Sequence, residues 1–394
     1  MTQQDWGFPL EWLSQRFELS RGGNALNVRP MEGMRGFAVF LVFLVHYSTL
    51  VKPWIAGEPA SLALSGALHT IGNAGVDLFF VLSGYLIYGS LISRPQPFLR
   101  FMSRRVERIY PTFIVVFIIY VLVSFVFAAE NKIPASTYEG ILYLGQNFLL
   151  LPGLFPIVPL ITVAWSLSYE IFYYLAIPVV ITLLGLRNRS AIWRIGFFLT
   201  LAAVTVIYCA TYGGHVRLIM FVSGILLHEA ISIRSIPDPH SFIGLLALAF
   251  GLLATLLPIA GSGAFALKVS ILFGSFFVFC LACFRNPSAW LASAFAWTPM
   301  RWLGNMSYSY YLLHGLTLKA GFLILAAILP IASHGFWLFW ALMAVMFVLS
   351  LVPATVLYLA VERPFSLSPR RSSRGDSNSS RDGTPTESYP GKSS

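Results

Sequence analysis

The stretch Met31–Val51, MEGMRGFAVFLVFLVHYSTLV, decides the fold. A charged approach punctuated by glycine (Glu32, Gly33, Arg35, Gly36) runs directly into an apolar helix that carries one ionisable residue, His46. His46 comes eleven positions after Arg35. At about 1.5 Å of rise per residue, the imidazole lies roughly 16 Å deeper than the guanidinium. That is near the middle of a hydrocarbon core about 30 Å thick. An imidazole at such depth is costly unless it faces a protein interior or a wet cavity, which makes it a candidate functional group. The alternative is a bundle histidine bonded to a neighbour's carbonyl.

Working outward, the whole chain has a lipid-soluble composition. Of its 394 residues, 57% are hydrophobic and 11% charged, where a soluble chain carries about 25% charged residues. The predicted class is an all-α polytopic membrane protein, a bundle of about ten transmembrane helices. The spans read as about 34–52, 71–92, 110–129, 160–184, 192–210, 214–232, 241–260, 266–284, 305–329 and 335–361, each near the length that crosses a bilayer. The run 141–151 is too short to cross and reads as interfacial or re-entrant. No internal repeat of the inverted-transporter kind is visible.

An even number of spans places both termini on one side. With that side cytoplasmic, 21 Lys and Arg fall in the inner segments and 5 (Lys52, Lys132, Arg217, Lys268, Lys319) toward the outer side, as the positive-inside rule requires. The same asymmetry accounts for most of the net charge of +10, so no nucleic-acid partner is needed. Residues 1–30 read as a cytoplasmic N-terminal segment without a signal-length apolar core. There Phe8, Leu10, Trp12, Leu13 and Phe17 suit a short interfacial helix, or else a loosely ordered tail. Residues 31–365 form the membrane domain, and 366–394, rich in Ser, Arg, Gly and Pro, read as a disordered cytoplasmic tail.

Few ionisable residues fall within the spans: His46, Asp77, Glu170, His228, Glu229 and His314, with Lys268 and Lys319 nearer the ends. Glu170 enters from outside and sits roughly 15 Å down, while His314 enters from inside and sits roughly 13 Å up. His46, Glu170 and His314 therefore share a depth, and Asp77 lies higher. Two imidazoles and a carboxylate at one level suit proton transfer, since imidazole accepts a proton near neutral pH and a carboxylate can stabilise its cation. A polar network that holds the bundle together fits the same facts. His228 and Glu229 lie at an inner helix end, where headgroups and water suffice to explain them. Cys209, Cys280 and Cys283 sit in apolar runs, and the one CxxC has no second pair to complete a metal site. No metal is expected.

The segment Phe98–Pro111, FLRFMSRRVERIYP, carries four arginines. Arg105 and Arg108 are three apart and so share a helix face, from which two guanidiniums can grip one polyanion such as a phosphate. A topogenic patch that meets anionic lipid has the same appearance.

Taken together, these segments resemble the membrane-bound acyltransferase family 3, the O-acetylase-like enzymes that modify polysaccharides, lipopolysaccharide, Nod factors, peptidoglycan and some macrolides. Arg35 and His46 are similar to its R/K-x10-H signature, within EGMRGFAVFLVFLVHY (32–47). GNAGVDLFFVLSGYLI (72–87), the R-x-x-R of Arg105 and Arg108, WSLSYEIFYYL (165–175), NMSYSYYLLHG (305–315) and VERPF (361–365) resemble its later landmarks, in order. Tyr169 and Ile171 depart from it, where the family often has Val and a second Glu. Only the tail follows the tenth span, so the extracellular esterase-like domain that some members carry is not expected.

The resemblance implies a multi-pass protein of the bacterial inner membrane with no permanently bound cofactor. Acyl-CoA, simplest as acetyl-CoA, would be the donor. A hydroxyl of a saccharide or other hydroxylated acceptor would receive the acyl group. It further implies His46 as general base or transient acyl carrier, oriented by Glu170. Arg105 and Arg108, with Arg35 and Arg104, would hold the CoA phosphates. Asp77 is a further candidate for substrate or acyl-CoA binding, with a structural joint between helices as its other reading, and His314 reads as a partner of substrate or of Tyr311. At Ser83 and Gly84, close helix packing is the expected role. Two rivals use the same residues: a flippase for a glycan or acylated intermediate, and a sensor that binds acyl-CoA or lipid without reacting.

Overall fold

The computed structural model describes residues 8–19, 25–127, 131–233, 235–332 and 335–367. The expectation for 368–394, and for the first seven residues, lies outside them. In chain order the helices are α1 (Phe8–Phe17), α2 (Ala25–Leu50), α3 (Lys52–Ile55), α4 (Pro59–Gly72), α5 (Ala74–Ile92), α6 (Phe98–Val126), α7 (Thr137–Phe148) and α8 (Trp165–Leu183). They continue with α9 (Ala191–Tyr212), α10 (Ile219–Ser232), α11 (Ser241–Ala254), α12 (Ser262–Arg285), α13 (Trp290–Phe295), α14 (Thr298–Asn305), α15 (Ser307–Ile328) and α16 (Phe336–Leu357). Beyond α16 the chain continues as a π-helix over Tyr358–Leu367. Among the described residues there is no β-strand.

A helix stands at each of the ten predicted spans, and among the described residues eight helical stretches are long and apolar enough to cross a membrane. The other two, α10 and α11, have 14 residues each. At about 1.5 Å per residue they reach only roughly 21 Å, short of a hydrocarbon core of about 30 Å. Two boundaries also move. Helix α2 begins at Ala25, before the predicted domain edge at residue 30. Helices α4 and α5 stack into one 34-residue rod, Pro59–Ile92, rather than starting near residue 71. The short 141–151 run proves to be α7, a 12-residue helix. The N-terminal apolar residues form α1, whose Phe17 is buried against Trp302 and Tyr358.

Helix α2 is the hub, lying against α4, α5, α14 and α15. Its glycines make the closest of these contacts possible. A Cβ on Gly33 would stand 1.5 Å from the Phe295 carbonyl oxygen, and one on Gly304 of α14 would stand 1.7 Å from that of Glu32. The charges beside them are paired: Glu32 accepts from Arg301 Nε at 3.1 Å, and Arg301 also bonds Glu18. On the far side of the bundle, α5 and α10 meet through Gly84 and Gly224, where a Cβ would come 2.1 Å from the Phe221 oxygen and 2.0 Å from the Val81 oxygen. His228 and Glu229 have structural partners. Glu229 takes Nε and Nη2 of Arg194, each at 2.7 Å, together with the Tyr88 hydroxyl, and His228 packs on Tyr85 and Tyr88.

Candidate active site

A cavity of about 240 Å³ opens between α2, α5, α6, α8 and α15, lined by Arg35, Ser83, Arg105, Arg108, Glu170 and Tyr311 among others. Each arginine is aimed from a different support. Arg35 donates through Nε and Nη2 to Ser307 Oγ at 3.2 and 2.9 Å. Arg105 reaches Ser90 Oγ at 3.4 Å and lies over the rings of Phe101 and Tyr174, 5.0 and 5.3 Å from their centres. Its buried Nε has no hydrogen-bond partner among the described residues. Arg108 lies over Tyr308 and donates to Glu362 Oε1 at 2.8 Å. The i, i+3 spacing thus puts Arg105 and Arg108 into one cavity. Arg104 is exposed and does not line it.

Glu170 lies in this cavity, where it accepts from the Tyr174 hydroxyl at 2.5 Å and from Ser83 Oγ at 3.4 Å. Ser83 therefore contributes a hydroxyl to the site, while its neighbour Gly84 serves the packing of α5 on α10. Three guanidiniums facing one carboxylate have the chemistry to hold a polyanion.

His46 is not among the residues that line this cavity with Glu170. No hydrogen bond or ion pair joins the two among the described residues. Its ring packs edge-to-face on His314, with centroids 4.9 Å apart. The histidines project from α2 and α15, so the seam that pairs Arg35 with Ser307 also pairs His46 with His314. The depth arithmetic spoke only to height in the bundle and not to azimuth, and the carboxylate lies among the cavity arginines. Tyr311 connects the two sides. Its ring is 6.2 Å from that of His314 and 6.0 Å from that of Phe79, and both Tyr311 and Phe79 line the cavity. Its hydroxyl is held by Val163 O at 3.0 Å and Ser166 Oγ at 2.8 Å.

Asp77 is buried outside the cavity, its Oδ1 3.7 Å from Arg217 Nε. Arg217 also donates to Asn73 O at 3.5 Å, so Asp77 ties α5 to the turn that leads into α10.

Sequence reasoning missed Glu362. It sits fully buried on the π-helix and accepts from the Ser309 amide at 3.0 Å, Ser309 Oγ at 2.6 Å and Arg108. A π-helix segment is often a functional insertion, and here it brings a carboxylate under a cavity arginine. VERPF was visible as a landmark, but nothing in it named Arg108, 254 positions away.

A family model described as an acyltransferase domain, acyltransferase 3, matches residues 30–359. The chain belongs to that family. The matched region holds every cavity residue named above, and ends just before Glu362. Among curated proteins, the chain is similar to the O-acetyltransferase OatA of Staphylococcus aureus, at 31% identity over 326 residues, covering 72% of this chain and 49% of that protein. It is also similar to the acyltransferase MdmB of Streptomyces mycarofaciens, at 25% identity over 382 residues, covering 85% of this chain and 90% of that protein. The chain thus spans about half the length of OatA. No solved structure matches the chain.

Proposed function

We propose that the chain is an integral-membrane O-acyltransferase. It takes an acyl group, acetyl in the simplest case, from acyl-CoA and places it on a hydroxyl of a saccharide or other hydroxylated acceptor in the bacterial inner membrane. The observation that carries this reading is the single cavity in which Arg35, Arg105 and Arg108 converge, with an imidazole pair behind its Tyr311 wall. With both termini cytoplasmic, the arginine end faces the compartment that holds acyl-CoA. Guanidiniums suit the donor's phosphates because they bind such groups through paired, charge-assisted hydrogen bonds. The thioester then points inward, toward Tyr311 and His46.

In the transfer, a lone-pair nitrogen of His46 takes the proton of the acceptor hydroxyl as its oxygen attacks the thioester carbon. The carbon–sulfur bond breaks. The departing CoA thiolate takes the proton back from the His46 imidazolium, which leaves the ring neutral for another cycle. Ser83 and Tyr174 hold Glu170 on the arginine side of the cavity, where its charge offsets part of the guanidinium field and favours release of spent CoA.

The test uses the full chain purified in detergent. Acetyl-CoA supplied with glycans and lipids extracted from the producing cell should release free CoA thiol, and mass spectrometry should find the acetyl group on one of them. His46→Ala should abolish turnover while acetyl-CoA still binds. Movement of a glycan across vesicles without any donor would favour a flippase, and binding without turnover a sensor. Label retained on the protein after incubation with radiolabelled acetyl-CoA alone would make His46 an acyl carrier instead of a base.

A further inference from the structure

The geometry points to a two-histidine dyad in which His314 is the positioning residue for the base His46. This deepens the acyltransferase reading and rests on it for the identity of the base. His314 is wholly buried, with Nδ1 3.0 Å from the Tyr310 carbonyl oxygen and 2.9 Å from that of Tyr311. A carbonyl oxygen only accepts, so Nδ1 carries the hydrogen. In the neutral ring this leaves Nε2 as a lone-pair acceptor. That Nε2 is buried and has no hydrogen-bond partner among the described residues, a costly state for an acceptor.

Elimination names its donor. The Tyr310 ring stacks on His314 at 5.3 Å, but its hydroxyl is engaged with Ser350 Oγ at 2.7 Å. The Tyr311 hydroxyl is engaged with Val163 and Ser166. Tyr47, next to His46, donates to the Phe339 carbonyl. Of the three rings that pack on His314, this leaves His46, whose ring makes the edge-to-face contact, as the one with an N–H to give. The other charged group acting on His46 is His69 of α4, itself influenced by Lys52. Neither supplies a carboxylate.

With its N–H given to His314, His46 presents its other nitrogen as the base, in one tautomer and one orientation. The backbone carbonyls prevent His314 from exchanging donor and acceptor ends. When His46 takes the acceptor's proton, the imidazolium keeps its hydrogen bond to Nε2 until the thiolate reclaims the proton. A neutral imidazole thus does the orienting that a carboxylate does in most such pairs, and no second charge is buried.

Two measurements on the full chain decide this. In lipid nanodiscs, nitrogen-15 NMR of labelled histidines, assigned with His46→Phe and His314→Phe, should show His314 protonated at Nδ1. Its Nε2 should resonate as a hydrogen-bonded acceptor that loses its partner in His46→Phe. In detergent, CoA release from acetyl-CoA should separate two variants. His314→Gln places an amide oxygen where Nε2 stood and should keep kcat within about tenfold, whereas His314→Phe should lower it about 100-fold. The KM for acetyl-CoA should stay within about twofold in both, and only the Phe variant should alter the pH–rate profile. An Nε2–H tautomer at His314, equal rates for the two variants, or an effect confined to KM would overturn the dyad. If the wild-type protein turns over no acetyl-CoA, it is the acyltransferase reading that fails, and the NMR result alone decides the pairing.

Discussion

Glu362 offers a sharp test of how the cavity is held open. Its carboxylate is fully buried and receives three donors: Arg108 Nη1, the Ser309 amide and the Ser309 hydroxyl. In Glu362→Ala all three lose their acceptor. Removing one partner of a buried ion pair costs about 3–5 kcal/mol, and each orphaned buried donor about 1–3 kcal/mol. The Arg108 side chain is 23% exposed and faces a polar cavity, so water recovers part of the charge cost. A net loss of about 3 kcal/mol is expected. Glu362→Gln keeps an oxygen for Ser309 and drops only the charge, so about 1 kcal/mol is expected. Denaturation in detergent, followed by tryptophan fluorescence, ranks the three proteins. Acetyl-CoA binding by isothermal titration supplies the second reading. An unanchored Arg108 should weaken binding about tenfold in Glu362→Gln, or about 1.4 kcal/mol. Unchanged stability in the Ala variant refutes the structural reasoning. Tighter acetyl-CoA binding by the Gln variant refutes the anchoring of Arg108, because it would mean that the pair merely masked a positive charge.

Other outcomes follow from the same geometry. Gly33→Ala and Gly304→Ala force a Cβ within 1.5 and 1.7 Å of backbone oxygens and should abolish monodisperse protein on size exclusion, while Gly66→Ala, with nothing within 4 Å, should leave it unchanged. Arg35→Ala and Arg105→Ala should each raise the KM for acetyl-CoA by about tenfold or more, since charge-assisted hydrogen bonds contribute about 1.5–3 kcal/mol, and added salt should reduce the difference. Arg104→Ala, exposed and outside the cavity, should change KM by less than about fivefold, as exposed charges contribute about 1 kcal/mol or less. For orientation, the three native cysteines are buried and should give a maleimide blank. A cysteine at Ser190 should then label from the cytoplasmic side and one at Lys132 from the outer side, and the reverse pattern would invert the proposed topology.

Much of this was legible in the sequence because lipid enforces simple rules. Apolar length marked every helix of spanning size, and arginine placement supplied an orientation. The i, i+3 spacing correctly predicted that Arg105 and Arg108 would face one space. What failed was lateral arrangement. Depth arithmetic grouped Glu170 with His46 and His314, yet rotation of α8 about its own axis turns Glu170 to the arginines. The fourteen-residue lengths of α10 and α11 were hidden by apolar residues in the turns that flank them. Glu362 and Arg301 were read as parts of a landmark and of an inner loop, because a buried ion pair between distant segments leaves no local pattern.

Helix α2 runs unbroken past both Arg35 and His46, and that continuity has a consequence for the donor. Eleven residues are just over three full turns, so the two side chains leave the rod within roughly 20° of one another. The rod acts as a ruler. For the acyl-CoA donor proposed above, it would set how far the thioester must reach from the guanidiniums that hold the phosphates. Inserting a single residue between them would swing the imidazole about 100° around the axis while leaving the grip intact, giving a protein that holds its donor and never spends it.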